Sequence, residues 1–306
     1  MEQDNSVFSG GGAKPVFRFA PSPNGYLHLG HAYSALLNQQ LSLESAGRLL
    51  IRIEDIDPDR SRRHFETALL DDLAWLGLDW EEPPRRQSEH LTEYRSALDD
   101  LTRRGLAYPC FCSRNEIAGS CAPHSDWPRD PDGSPRYPGT CRALSPKECC
   151  SRVAAGARFS LRLDMAKAMA QVSAQVSEHL TYCEFHEGLE SKTVAVDPTI
   201  WGDALIGRRD VTASYHLACV LDDHLQGVTD VVRGADLEAA TSLHRLLQAL
   251  LDLRTPVYRH HRLVRDEQGR KLSKSKSSVS LQELRAQGAT PTSLRQRLGR
   301  LMDRTL

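Results

Sequence analysis

Residues 18–31 read RFAPSPNGYLHLGH, and this stretch decides the fold. An apolar run over residues 16–20 has the pattern of a buried strand. Pro21, Pro23 and Gly25 then interrupt regular structure, so the chain turns. His28, Leu29, Gly30 and His31 follow, and Ala32, Leu36, Leu37 and Leu41 continue at helical spacing. The reading is strand, turn, helix, with two histidines at the helix start. That arrangement suits a nucleotide, because the N–H groups and dipole of a helix N-terminus attract phosphate. Gly30 has no side chain, so a flat base can approach the backbone closely. His28 and His31 are three residues apart and can face one triphosphate. Taken alone, H-x-G-H reads equally well as an ordinary helix start with two solvated histidines.

A second signal lies far downstream. Residues 270–275 read RKLSKS, with Lys271 and Lys274 on a basic loop rich in Gly and Ser. Two separated clusters, one of imidazoles and one of amines, suit a clamp on a polyphosphate. Together, HLGH and KLSKS resemble the two signatures of class I aminoacyl-tRNA synthetases. The finer resemblance is to the glutamyl branch, which has R-F-A-P-S-P-x-G before the histidines and R-I-E-D-x-D after the next strand, here residues 52–57. Matching segments run from about residue 16 to 275, most of the chain. The resemblance implies an α/β fold: a Rossmann-like parallel sheet split by an inserted zinc-bearing module, with a short helical C-terminal region.

Composition fits this reading. The chain has 306 residues, enough for a large core and two domains, and its hydrophobic fraction of 40% is ordinary. No stretch approaches the ~20 apolar residues of a membrane span. The first fourteen residues lack the basic start and apolar core of a signal peptide and read as a flexible tail, which implies a cytoplasmic protein. Net charge is −1, which argues against a bulk nucleic-acid binder. Its distribution is uneven, however. Residues 254–306 hold 13 Lys/Arg and 4 Asp/Glu, whereas the rest holds 26 basic and 36 acidic residues. The C-terminal part is therefore expected to meet phosphate. Eight cysteines without a secretory signal point to reduced thiols or a metal site rather than disulfides.

The expected organisation is a first half of the nucleotide-binding fold over residues 15–104 and an inserted module over 105–188. The second half covers 189–253, and the KLSKS loop with a short helical region covers 254–306. Residues 48–53 read as a second strand ending in Glu54, Asp55 and Asp57, acids placed where α/β sheets bind ligands. Helices are expected over 64–76, from Leu91 to Gly105, over 215–223 and over 237–251, with strands over 159–163 and 230–234. Ser145 with Glu148, and Ser280 with Glu283, form capping boxes for short helices, and Thr290-Pro291 starts the last one.

The resemblance assigns roles. His28, Gly30, His31 and Lys274 bind ATP; His28 and His31 serve as donors to phosphate oxygens. Lys274, assisted by Lys271, neutralises charge as pyrophosphate leaves. Arg18, Ser22, Glu54, Tyr215 and Arg233 form the glutamate pocket. The residue types agree: guanidinium for carboxylates, Glu54 for the amine, and Ser22 and Tyr215 for hydrogen bonds. By themselves, Arg233 reads as a strand end and Tyr215 as a core tyrosine. Cys110-x-Cys112 and Tyr137-x-x-x-Cys141 flank a proline-rich loop. Three cysteines need a fourth ligand to complete a tetrahedral structural zinc site. Chemistry alone favours Cys121 or His124, while the family pattern C-x-C…Y-x-x-x-C points to Tyr137.

Only about thirty residues follow KLSKS, where glutamyl-tRNA synthetases continue into a helical region that reads the anticodon. The resemblance is therefore to the truncated members of the branch. These activate glutamate with ATP, and with Mg2+, in the absence of tRNA, and transfer it to queuosine at the wobble position of tRNA(Asp). Two alternatives are an ordinary glutamyl-tRNA synthetase with its anticodon domain on another chain and a non-catalytic RNA-binding module. No membrane and no obligate protein partner are expected.

Overall fold

The computed structural model describes residues 13–175, 179–185, 191–210, 212–265 and 279–302. The opening stretch folds as its pattern requires. Strand β1 (Val16–Phe19) is wholly buried, and after the Pro/Gly turn helix α1 (Leu29–Glu44) packs back on it. The turn is anchored by its carbonyls: Pro21 accepts from the Glu54 N–H at 3.1 Å and Pro23 from the Arg62 N–H at 3.0 Å. Strand β2 (Arg48–Ile53) pairs parallel with β1 from Val16↔Arg48 to Phe19↔Ile51. Helix α2 (Arg63–Trp75) buries Leu69 and Leu73, and β3 (Glu81–Arg86) follows. The β3 sequence, EEPPRR, carries no apolar pattern. It forms the sheet edge, where proline is tolerated.

Helix α3 (Leu91–Arg103) leads to a smaller layer containing β4 (Ala107–Cys110), α4 (Arg114–Cys121), α5 (Pro146–Ala154) and β5 (Ser160–Leu163). Then come α6 (Met165–Gln175), the hairpin strands β6 (Thr181–Phe185) and β7 (Ser191–Ala195), and β8 (Leu205–Gly207). The chain ends with α7 (Tyr215–Leu225), β9 (Asp230–Gly234), α8 (Ala240–Leu250), β10 (Val257–His261), α9 (Leu281–Ala286) and α10 (Pro291–Met302).

The large sheet runs β3-β2-β1-β9-β10-β6-β7, parallel throughout except for the β6–β7 hairpin. Strand β1 has β2 on one side and β9 on the other, so the order reverses at β1. Ligands of open α/β sheets bind beyond the strand C-termini at such a switch point. A separate small sheet, β4-β5-β8, is antiparallel. β6, before residue 188, joins the large sheet through Tyr258↔Glu184, and β8, after it, completes the small one. Sheet membership depends on distant partners, which local pattern does not reveal. The helix expected over 237–251 starts later, at Ala240: a 3₁₀ turn at Ala235–Leu237 precedes α8, whose N-cap, Ala239, offers no side-chain acceptor. Its four leucines, 243, 246, 247 and 250, do point inward.

Candidate active site

At the switch point a cavity of about 520 Å³ opens over the C-terminal ends of β1, β2, β9 and β10. Arg18, Ser22, His28, Gly30, His31, Glu54, Tyr215 and Arg233 all line it. Residues separated by more than two hundred positions thus meet in one place. Asn24, Ser34, Asp236 and His261 also line it and were not anticipated.

The two histidines cap α1 reciprocally. His28 is the N-cap; its Nδ1 accepts from the Gly30 N–H at 3.1 Å, and Nδ1 of His31 accepts from the His28 N–H at 3.2 Å. An accepting Nδ1 in a neutral ring leaves the proton on Nε2. The cap therefore fixes both rings as Nε2 donors, the form a phosphate oxygen needs. The rings lie 3.8 Å apart, and His28 is buried rather than solvated. A Cβ on Gly30 would come within 3.0 Å of the His28 ring, so glycine leaves the cap undistorted.

Beneath the cavity floor lies a buried ionic network. One oxygen of Asp223 accepts from Arg18 Nε at 3.1 Å and from Arg52 Nη1 at 2.6 Å. Arg52 also donates to Glu54 at 3.2 Å. Burial works against ionisation of Asp223, but the two guanidiniums prevail and hold its carboxyl at about 2. For Glu54 burial wins over Arg52 and Arg18, and its carboxyl is raised. The neighbouring Asp222 accepts from Arg85, Gln87 and Tyr94, which ties β3 and α3 to α7. Arg52, Asp222 and Asp223 were missed as site-supporting residues. The available signal was charge inside apolar runs, RLLIRI and CVLDDHL.

Arg233 has a different environment. Its Nη2 donates to Thr241 Oγ1 at 2.7 Å, its Nη1 to His244 Nδ1 at 3.2 Å, and its Nε to His260 Nε2 at 3.4 Å. Because arginine only donates, His244 carries its proton on Nε2, which donates to His216 Nδ1 at 3.2 Å. By the same logic His260 donates from Nδ1 to Glu184 at 2.6 Å. Burial and the Arg233 charge push His216 and His260 down to about 4 and His244 well below its ordinary value. Arg233 is thus held by a hydroxyl and neutral imidazoles, which orient its charge without cancelling it. Burial keeps Tyr215 protonated, and so a donor, by raising its phenol far above the ordinary value.

Away from this cavity, the sulfur atoms of Cys110, Cys112 and Cys141 lie within 4.8 Å of one another. Tyr137 completes the group: its hydroxyl is 3.4 Å from Cys112 Sγ and accepts from the Cys141 N–H at 2.8 Å. Burial raises the Cys112 thiol to about 11. Against burial, hydrogen bonds from Tyr137 and the Phe111 N–H hold Cys141 below its ordinary value. Cys121, the alternative fourth ligand, is buried beside the Arg136 carbonyl at 4.0 Å, outside this group. Lys271 and Lys274 lie outside the described residues. The described chain on either side of them is anchored at the cavity: Val264 lines it, and Ser280 forms a β-bridge with His28.

Comparisons with known proteins agree with this geometry. The family described as tRNA synthetases class I (E and Q), catalytic domain, matches residues 15–303. The glutamyl-Q tRNA(Asp) synthetase of Rhodobacter capsulatus is 42% identical over 288 residues, covering 93% of this chain and 99% of its own. Glutamate–tRNA ligase 2 of Nitrosococcus oceani is 38% identical over 301 residues, 93% of this chain but 58% of its own length. Among solved structures, a glutamate tRNA ligase from Elizabethkingia meningosepticum in complex with its amino acid superposes with a TM-score of 0.69 at 25% identity. That match covers 86% of this chain and 52% of the other. The switch-point cavity and these matches lead to one conclusion: the chain belongs to the class I tRNA synthetases of the E and Q group.

Proposed function

We propose that the chain activates glutamate with ATP and transfers it to queuosine at the wobble position of tRNA(Asp). The observation that carries this reading is the 42% identity along 99% of the Rhodobacter glutamyl-Q tRNA(Asp) synthetase. In the first step the glutamate α-carboxylate attacks the α-phosphorus of ATP and pyrophosphate leaves. A queuosine hydroxyl then attacks the acyl carbon, and AMP leaves. The chain positions reactants and stabilises charge, and forms no covalent intermediate with them. The Nε2 protons of His28 and His31 meet phosphate oxygens, and Gly30 gives the nucleotide close access. Arg18 and Arg233 receive carboxylates, and Ser22 and Tyr215 add hydrogen bonds. Glu54 receives the ammonium group, a cation that favours the ionised form burial opposes. Lys271 and Lys274 meet the departing pyrophosphate. ATP arrives as its Mg2+ complex.

The test uses tRNA(Asp) with and without queuosine, and tRNA(Glu), with labelled glutamate. Label is expected only on the queuosine-containing tRNA and should persist after enzymatic removal of the 3′-terminal adenosine. Label lost with that adenosine returns the chain to the ordinary glutamate–tRNA ligases. An RNA-binding module without catalysis would show no glutamate-dependent ATP–pyrophosphate exchange at all.

The cysteine group fits one structural zinc. Tetrahedral thiolates around zinc sit about 3.8 Å apart, and Cys112 and Cys141 are 3.5 Å apart. Cys110, Cys112, Cys141 and Tyr137 would hold the ion, which stabilises the small sheet and supplies nothing to the reaction. Metal analysis should find one zinc per chain, lost in Cys110→Ser/Cys112→Ser. Tyr137→Phe should weaken retention and Cys121→Ser should not. Full zinc content in the double variant rules the site out.

A further inference from the structure

A second cavity, of about 530 Å³, adjoins the first and has no role in the chemistry above. Two short stretches of chain connect them. Glu54 lines the first and Ile56 the second; Tyr215 lines the first and Thr212 the second. Two and three residues of extended chain span at most ~7 and ~11 Å, so one polymeric ligand can occupy both.

The second cavity is amphipathic. Its floor includes half-buried Ile56, Leu91 and Phe159, and the Phe159 ring lies 5.9 Å from that of Phe111. Four arginines, Arg95, Arg158, Arg208 and Arg209, line it against two aspartates, Asp99 and Asp210. Arg158 pairs with Asp210, and Arg208 pairs with Asp57 at 3.1 Å. Arg209 instead donates to the carbonyls of Phe111 and Cys112 at 2.8 and 3.2 Å, which orients its charge without cancelling it. The surplus of positive charge runs against its surroundings, since the chain before residue 254 has 26 basic and 36 acidic residues. Like charges gathered in one cleft are unfavourable unless an anion joins them.

An aromatic surface bordered by arginines is the chemistry that docks an unpaired nucleotide, the base against the ring and the phosphates on the guanidiniums. We propose that this cavity holds an unpaired nucleotide of the RNA acceptor adjacent to the one that receives glutamate. Its base lies on Phe159, and its phosphates meet Arg95 and Arg158, the latter exchanging its solvent-exposed partner Asp210 for phosphate. This rests on the reading of the chain as an enzyme that aminoacylates an RNA base. It adds a contact site outside the basic segment 254–304.

The test compares the whole wild-type chain with Phe159→Ala, Phe159→Leu and Arg95→Ala/Arg158→Ala. Three quantities are measured: glutamate-dependent ATP–pyrophosphate exchange, the KM for queuosine-containing tRNA(Asp), and the Kd of a fluorescent anticodon stem–loop of that tRNA. Exchange should stay within about twofold of wild type, whereas KM and Kd rise about tenfold, the scale of one lost base stack. The arginine variant should also lower the salt slope of binding by about one to two. Phe159→Leu keeps apolar bulk without the ring, so its weak binding separates stacking from folding. Should Phe159→Ala lose exchange, the exposed Arg95 and Arg158 pair decides. Unchanged KM and Kd in the arginine and leucine variants overturn the proposal. A wild-type chain that activates glutamate but labels no RNA overturns the earlier reading instead, and the stem–loop Kd still decides this one.

Discussion

Lys274→Ala is expected to lower glutamate-dependent ATP–pyrophosphate exchange about 10²–10³-fold, the usual cost of removing a preorganised charge from a developing anion. The reasoning starts from charge. As the α-phosphorus is attacked, negative charge accumulates on the pyrophosphate that leaves, and a compact ammonium on a long stem suits it. The described chain on either side of residues 266–278 reaches the cavity, with Val264 lining it and Ser280 bridged to His28. The Leu281 N–H donates to the Leu27 carbonyl at 2.8 Å, just before the capping histidines. The fold should survive, since the described core is built without residues 271–275. Exchange within about threefold of wild type would be too small a change for such a contact and would remove the role. Thermal unfolding of the same variant should match wild type, which separates lost chemistry from lost structure.

The legible part of the fold was the part written in local pattern. VFRF, the Pro/Gly turn and the helical spacing after His28 led to β1, the turn and α1. The capping boxes at Ser145 and Ser280 are both formed. All the site residues assigned within the described chain meet at one cavity or one sulfur group. The illegible part was held together over long distances. β10, VYRHH, and β3, EEPPRR, lack any strand signature, and become strands because parallel neighbours supply their hydrogen bonds. His244 sits in a leucine stripe that reads as plain core, and only the fold shows it beneath Arg233. Asp222 and Asp223 likewise sit in an apolar helix, and their meaning depends on arginines from β1 and β2.

The largest effect on stability is expected at Asp223. Its carboxylate serves two arginines, Arg18 and Arg52, both of them buried. Removing it in Asp223→Ala leaves two buried cations without their shared anion, a change of the kind that costs about 3–5 kcal/mol. The exposed pair Arg48–Glu81 provides the contrast, because Glu81→Ala loses a contact already shared with water and should cost about 0–1 kcal/mol. Urea unfolding of both variants beside wild type reads the difference. A loss at Asp223 no greater than at Glu81 would mean the buried network contributes no more than a surface pair. The effect should also depend on pH in one direction. Folding depresses the Asp223 carboxyl to about 2, below its value of about 3.9 in an unfolded chain. Such a group binds fewer protons folded than unfolded, so its stabilisation is complete above about pH 4 and lost as pH falls through about 2. The gap between wild type and Asp223→Ala should therefore be constant near neutrality and narrow from pH 4 towards pH 2. Because Arg18 lines the cavity while bound to Asp223, the same variant should raise the KM for glutamate at neutral pH.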